Sequence, residues 1–416
     1  MKSKTYRAVA VNHIDAERLR QQRREELVHA GLDVGKDYIL CVLRWGVHDF
    51  ERPWRCRNPA DLATLAQLLR GVGQGRRLIV ALEPTGTYGD ALRQALQQAG
   101  LTAHRVSPKA AADYAEIFDG VPSQHDGKDA AIVAELAAQG RCWPWPLLLP
   151  SEAEQEMAYQ VEWLEGQRRQ TQLWYGRLEA LLSRHWPEAT AVLPLTSGVL
   201  RRCLTRYGGP RRLAEDSQAA QRLYRWGRGL LSPDKIEALL VGAAQTAGVP
   251  TGRWDEERLR RYAQQVQEGL SQQRQARRRL RQLAAEQPVI GAMGVVVGAV
   301  TACVLWVQLG APQDYHCGPA YRKAMGLNLK ERSSGRWQGQ LKISKRGSSV
   351  VRRWLYLAAL RWVRQEPVRS WYLRQKADRR GAAKPALIGV MRKLALALYR
   401  VGGRGEAFDP TQLYQG

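Results

Sequence analysis

Six cysteines in 416 residues (Cys41, Cys56, Cys142, Cys203, Cys303 and Cys317) stand far apart, and no two share a Cys-x-x-Cys spacing. That excludes a zinc ribbon and a disulfide-dense scaffold. The seven histidines form no His-x-x-x-His pair, so any metal falls to carboxylates. There is no Walker-type P-loop. Residues 1–24 lack an apolar core segment and do not read as a secretory signal, so a cytoplasmic setting is expected. Long apolar runs are almost absent too. Residues 287–313 carry no charge, but Gly291, Gly294, Gly298, Thr301 and Gln308 interrupt the stretch. A buried helical hairpin is expected there, and no membrane partner. Over 289–309, with its spaced glycines, it reads either as plain packing or as a helix-hairpin-helix-like segment whose turn lets backbone N–H groups approach phosphates.

Acidic residues are the other deficit. Asp plus Glu number 39 against 64 Lys plus Arg, a net charge of +25 and a pI near 10.2. Residues 331–416 alone hold 19 basic and 5 acidic side chains, more than half of the excess. The hydrophobic fraction of 44% is enough for a core and excludes wholesale disorder. Such a chain is expected to meet a polyanion, nucleic acid ahead of an anionic membrane.

The length predicts two or three domains. Residues 1–27 read as a charged helical arm. Strand-like runs follow at 28–34, 38–45 and 49–56, then a helix over 60–69 with Pro59 in its first turn. An apolar strand over 77–82 stops at Glu83. A helix over 88–99, a strand over 101–106 and helices over 110–118 and 124–139 complete an α/β pattern with a mixed sheet. Beyond Trp143-Pro144-Trp145-Pro146, Ser151 opens a helical stretch to 182 that suits a coiled coil or helical hairpin. Residues 190–250 are mixed and basic, and a second charged helix spans 255–286 with Arg274, Arg277, Arg278, Arg279 and Arg281. The apolar hairpin, a Gly/Ser-rich loop over 333–339 and basic helices over 348–364 and 384–400 end the chain. The expected domains are therefore 1–27, 28–146, 147–286 and 287–416.

Four carboxylates stand out. Asp33 lies in the first strand of the sheet, and Glu83 at the C-terminal end of a later one, where open α/β sheets carry their ligands. Asp126 and Asp129, three apart, share one face of a predicted helix. Each has an ordinary use when taken alone: Asp33 to cap a turn, Asp126 to cap a helix. As a set they form an oxygen donor group suited to Mg²⁺ or Mn²⁺. Two such ions ~3.5–4 Å apart clamp the attacking and leaving oxygens of a phosphodiester displacement.

The segments Gly31-Leu32-Asp33-Val34-Gly35-Lys36-Asp37, Ala81-Leu82-Glu83-Pro84-Thr85-Gly86-Thr87-Tyr88-Gly89 and His125-Asp126-Gly127-Lys128-Asp129-Ala130 carry a resemblance. So do Gly326-Leu327, Ser333-Ser334-Gly335, Ile343-Ser344-Lys345-Arg346-Gly347 and Leu355. Together, and in this order, the chain resembles the DEDD transposases of the one-ten family of insertion sequences, recombinases guided by a bridge RNA. The resemblance implies an RNase H-like (RuvC-like) first domain, a coiled-coil middle and a small, mainly helical C-terminal transposase domain. It implies that Asp33, Glu83, Asp126 and Asp129 bind the metal. It further implies a serine, Ser334 with Ser333 as the alternative, that attacks a DNA phosphate and forms a phosphoserine link.

Arg332, Arg336, Lys342, Lys345 and Arg346 flank that serine and are expected to hold phosphate. On composition alone the same segment is an ordinary flexible Ser/Gly loop. The expected partners are donor and target double-stranded DNA, a structured guide RNA and a second or fourth copy of the chain, in a bacterial or archaeal cytoplasm at the nucleoid. A RuvC-like nuclease that cuts with water, and a basic repressor without activity, are the competing expectations.

Overall fold

The computed structural model describes residues 8–84, 86–118, 125–331, 339, 342–378 and 381–414, the side chains of 412 and 413 excepted. It forms two compact units, 1–149 and 150–416.

The first unit is built on a mixed sheet. Its strands are β1 (Val9–Ala10), β2 (Leu27–Val34), β3 (Tyr38–Gly46), β4 (Asp49–Phe50), β5 (Trp54–Arg57), β6 (Arg77–Leu82), β7 (Ala103–Val106) and β8 (Cys142–Pro144). They lie in the order β1-β5-β3-β2-β6-β7-β8, with β4 on β3. β2 and β3 form an antiparallel pair with Asp33 opposite Leu40, while β2 and β6 run parallel with Leu32 opposite Leu82. This is the RNase H-like arrangement that the resemblance implies. β2 and β3 are apolar almost throughout because helices cover both of their faces. On one face lie α1 (Ala16–Gln22), α2 (Leu62–Val72) and α3 (Asp90–Gln98), whose Leu65, Leu69, Leu92 and Leu96 pack on Val28, Ala30 and Leu32. On the other lie α4 (Pro108–Phe118) and α5 (Asp126–Ala138), with Ile132, Val133 and Leu136 around Ala81 and Val106.

Two expectations are corrected here. Residues 8–22 are not a helical arm: β1 runs parallel to β5, Val11 enters the core, and α1 lays Ala16 and Leu19 against it. The third strand, expected over 49–56, is two short pieces, β4 and β5, both antiparallel to β3.

The second unit is organised by two helices of 34 residues each, α6 (Glu152–His185) and α12 (Arg253–Glu286). Ser151 and Glu154 form a capping box that starts α6. The two helices run antiparallel. Glu156 pairs with Arg279 at 2.5 Å, Gln273 Nε2 donates to Thr171 Oγ1 at 2.9 Å, and His185 faces Asp255 at 3.7 Å. Between them the chain makes α7 (Pro187–Val192), α8 (Gly198–Tyr207), α9 (Pro210–Glu215), α10 (Ala219–Trp226) and α11 (Pro233–Ala244), which share a core with Leu178, Leu182, Leu259 and Ala263.

At the opposite end of the helix pair, Met157, Val161, Leu164, Ala276 and Leu280 join the C-terminal core. That core holds α13 (Pro288–Val297), α14 (Ala299–Leu309), α15 (Gly318–Ala324), α16 (Ser349–Trp362), α17 (Val368–Ala377), α18 (Ala383–Arg404) and α19 (Pro410–Tyr414). The apolar stretch becomes α13 and α14, bent by 118° at Gly298, with Ile290, Met293, Val296, Val304 and Leu305 buried. Among the described residues no single helix is long and apolar enough to cross a membrane. Two short antiparallel strands, β9 (Leu329–Lys330) and β10 (Lys342–Ile343), stand before α16.

Candidate active site

Asp33 is the last residue but one of β2, and Glu83 follows the last residue of β6. The parallel register that sets Leu32 beside Leu82 brings these two acids side by side at one end of the sheet. Side chains two apart along a strand share a face, so Asp33 projects where Gly31 does. Gly31 is where α5 touches the sheet. A Cβ there would stand 2.1 Å from the Ala130 carbonyl oxygen and 2.3 Å from the Ala134 nitrogen. Only glycine allows α5 to lie this close, and the approach carries Asp126 and Asp129, at the start of α5, over Asp33. A partly buried ion pair, Arg44 Nε to Glu135 Oε2 at 2.6 Å, ties α5 to β3. Such a pair adds little net stability but selects one placement of the helix.

Asp126 is not the cap of its helix. His125 is the N-cap, and its Nδ1 accepts from the Lys128 N–H at 3.1 Å. The Asp126 carboxylate is thereby kept exposed at the first helical position rather than spent on the backbone.

Burial and neighbouring charge raise the pKa values of Asp33, Glu83 and Asp129. Burial, then the charges of Asp126 and Asp129, raises the Asp33 pKa from 3.8 to about 6. Burial, then Asp33 and Asp129, raises Glu83 from 4.5 to about 7. Asp129 is raised by burial and by Asp126, with His125 and Lys128 working in the opposite sense. Lys128, only 2% exposed, is a residue that sequence reasoning passed over, since a lysine at a helix start reads as solvent-facing. Its signal was its place between the two aspartates.

The chemistry of the donor set suits a hard divalent cation: oxygen ligands only, and a surplus of negative charge that burial makes costly. As the side chains stand, no three His, Cys, Asp or Glu among the described residues are grouped to hold a metal ion. The register of β2 with β6 and the contact of α5 with Gly31 bring the acids to one end of the sheet, short of a formed coordination geometry.

Ser333, Ser334, Arg332 and Arg336 lie outside the described residues. Lys342, Lys345 and Arg346 are all exposed. The turn that carries them is held by backbone. Lys345 N–H donates to Gly326 O at 3.1 Å, and Ser344 N–H donates to Asn328 O at 2.8 Å. Gly326 has φ 70°, and a Cβ there would meet Arg346 O at 2.7 Å; Gly347 has φ 133° and would meet Ala324 O at 2.3 Å. These two glycines interlock the Gly326-Leu327 and Ser344–Gly347 segments.

Two family models match the chain. Residues 30–186 match the IS110-type DEDD model, described as a transposase. Residues 295–374 match the model described as the transposase IS116/IS110/IS902 family. Between them they span more than half of the 416 residues. No curated protein matches the chain.

Proposed function

Because the chain belongs to the IS116/IS110/IS902 family of transposases, we propose that it cuts and rejoins donor and target DNA through a serine–DNA covalent intermediate, directed by a structured guide RNA. As a member of that family it is a transposase of a mobile element and acts on DNA. The observation that carries the finer reading is the group of four acids at one end of an RNase H-like sheet, with the pKa values of Asp33, Glu83 and Asp129 raised. In this reading residues 28–146 hold the acids, 147–286 form the coiled-coil and basic region, 287–416 supply the serine, and 1–27 precede them.

Asp33, Glu83, Asp126 and Asp129 are the residues that would hold Mg²⁺ or Mn²⁺. Such ions supply charge stabilisation to the phosphate oxygens as the displacement proceeds. The Ser334 hydroxyl attacks phosphorus. The new bond is serine oxygen to phosphorus, the bond broken is phosphorus to a deoxyribose oxygen, and the serine proton is lost as that oxygen gains one. Attack by a hydroxyl of the other DNA partner reverses the step, so the phosphodiester is conserved and no nucleotide is hydrolysed. Lys342, Lys345 and Arg346 bind the flanking phosphates as charge-assisted donors. The protein works in the cytoplasm on nucleoid DNA.

The test is trapping. The full chain with Mg²⁺, labelled element-end DNA and RNA transcribed from the noncoding DNA beside the gene is denatured and resolved on a gel. Labelled DNA should migrate with the protein, and Ser334→Ala should abolish that band while Ser333→Ala keeps it. Cleaved DNA with no attached protein from the parent chain would mean that water is the nucleophile.

A further inference from the structure

We propose that a cleft in the second unit, lined by Arg277, Arg281, Arg361 and Arg364 and by the first turn of α14, seats a backbone phosphate of a nucleic-acid strand. The inference rests on the reading that the chain acts on nucleic acid, and adds a binding site that the catalytic residues do not include.

The cleft has a volume of about 460 Å³ and opens to solvent. Arg277 and Arg281 are four apart on α12 and share a face, while Arg361 and Arg364 stand at and beyond the end of α16. Neighbouring arginines are neutralised: Arg279 by Glu156, Arg353 by Glu165. None of the four cleft arginines has an ion-pair partner among the described residues. The carboxylate felt by Arg277 is Glu165, already engaged by Arg353, Arg168 and the Trp354 indole. Arg277 is half-buried over the Trp354 ring at 5.5 Å. Burial, then Arg281 and Arg353, pulls its pKa below the ordinary value. Positive charge has thus been gathered and left uncompensated.

The hairpin turn supplies the rest. Gly298 has φ 86°, and a Cβ there would stand 3.0 Å from both terminal nitrogens of Arg361. Glycine lets that guanidinium lie on the turn, where it donates to the Val297 carbonyl and keeps further N–H groups for the cleft. Ala299, Val300 and Thr301 begin α14, and the N–H groups of a first turn have no partner within their helix. An anion with several acceptor oxygens satisfies both sets of donors. The remaining wall is apolar, with Trp354, Leu357 and Leu360. That suits the sugar attached to a phosphodiester better than a free, fully hydrated phosphate.

The experiment uses the full chain and an Arg281→Ala/Arg364→Ala variant, both side chains lacking an ion-pair partner among the described residues. Arg369→Ala/Arg374→Ala removes equal charge from α17, outside the cleft. Anisotropy of labelled duplex DNA and of single-stranded RNA is followed against salt, and melting is followed with and without inorganic phosphate at constant ionic strength. The cleft variant should melt like the parent and lose about tenfold or more in affinity for at least one of the two strands. Its logarithmic salt slope should fall by about 1.8 on duplex DNA or about 1.4 on single-stranded RNA, two phosphate contacts' worth. The arm that changes identifies the strand. A loss no greater than that of the control pair overturns the cleft and leaves the transposase reading intact. So does a cleft variant that loses only its stabilisation by inorganic phosphate. A parent chain that binds neither polymer overturns both.

Discussion

Asp33 and Glu83 hold protons more tightly in the fold than outside it, with pKa values near 6 and 7. The folded state therefore binds more protons than the unfolded one between about pH 4 and pH 7, and stability falls as pH rises through that window. The unfavourable contribution is absent below the unfolded values and complete above the folded ones. Without metal, Asp33→Asn should raise the melting temperature at pH 7.5 and leave it nearly unchanged at pH 4. A tenfold change in proton affinity corresponds to about 1.4 kcal/mol. Partial exposure cuts the effect, so a gain on the order of 1 kcal/mol, ~2–4 °C, is expected. Equal gains at both pH values would show that the charges do not interact. Asp126 belongs to the same group but caps nothing. Asp126→Asn should keep the melting temperature of the parent and lose strand exchange by a factor of about a hundred or more. Recombination near the parental rate removes Asp126 from the site.

Helix α5 depends on the one glycine beneath it. Gly31→Ala puts a methyl carbon against the Ala130 carbonyl, so the helix must move off β2. A cost of at least ~2 kcal/mol is expected, together with loss of activity, because Asp126 and Asp129 shift with the helix. A variant with unchanged melting and activity would show that α5 can take up the methyl group without moving. In the second unit α6 meets α16 through Glu165, which is 4% exposed. Desolvation works against this carboxylate, but the Trp354 hydrogen bond at 2.7 Å and the charges of Arg353 and Arg168 outweigh it and hold its pKa low. Glu165→Ala strands those partners and should cost ~3–5 kcal/mol, read by denaturant titration.

The acids sit in the first unit and the serine segment in the sequence of the second. An in-line displacement needs both within ~3–3.5 Å of one phosphate. We propose that the site is shared, with the acids of one protomer serving Ser334 of another in a dimer or tetramer. Ser334→Ala and Asp126→Asn chains, each inactive, should restore part of the activity when mixed, since one mixed pairing has both groups intact. Mixed oligomers that form and stay inactive exclude sharing in trans.

Local pattern carried much of this fold. Strand β6 and Glu83 just beyond it, the spacing of Asp126 and Asp129, and the long helices α6 and α12 are legible because the period of apolar residues is set within a few neighbours. Helix α17 was not legible: only Val368 and Trp371 of its ten residues are buried, so no apolar stripe marks it. The pairing of α6 with α12, the burial of Lys128, the contact of Gly31 with α5 and the gathering of four arginines around Gly298 join residues far apart in the chain. So do the raised pKa values of Asp33 and Glu83. Burial and charge act through space, between side chains that only the folded chain brings together. The residue order therefore determined which acids and which elements exist, and the packing decided which of them meet.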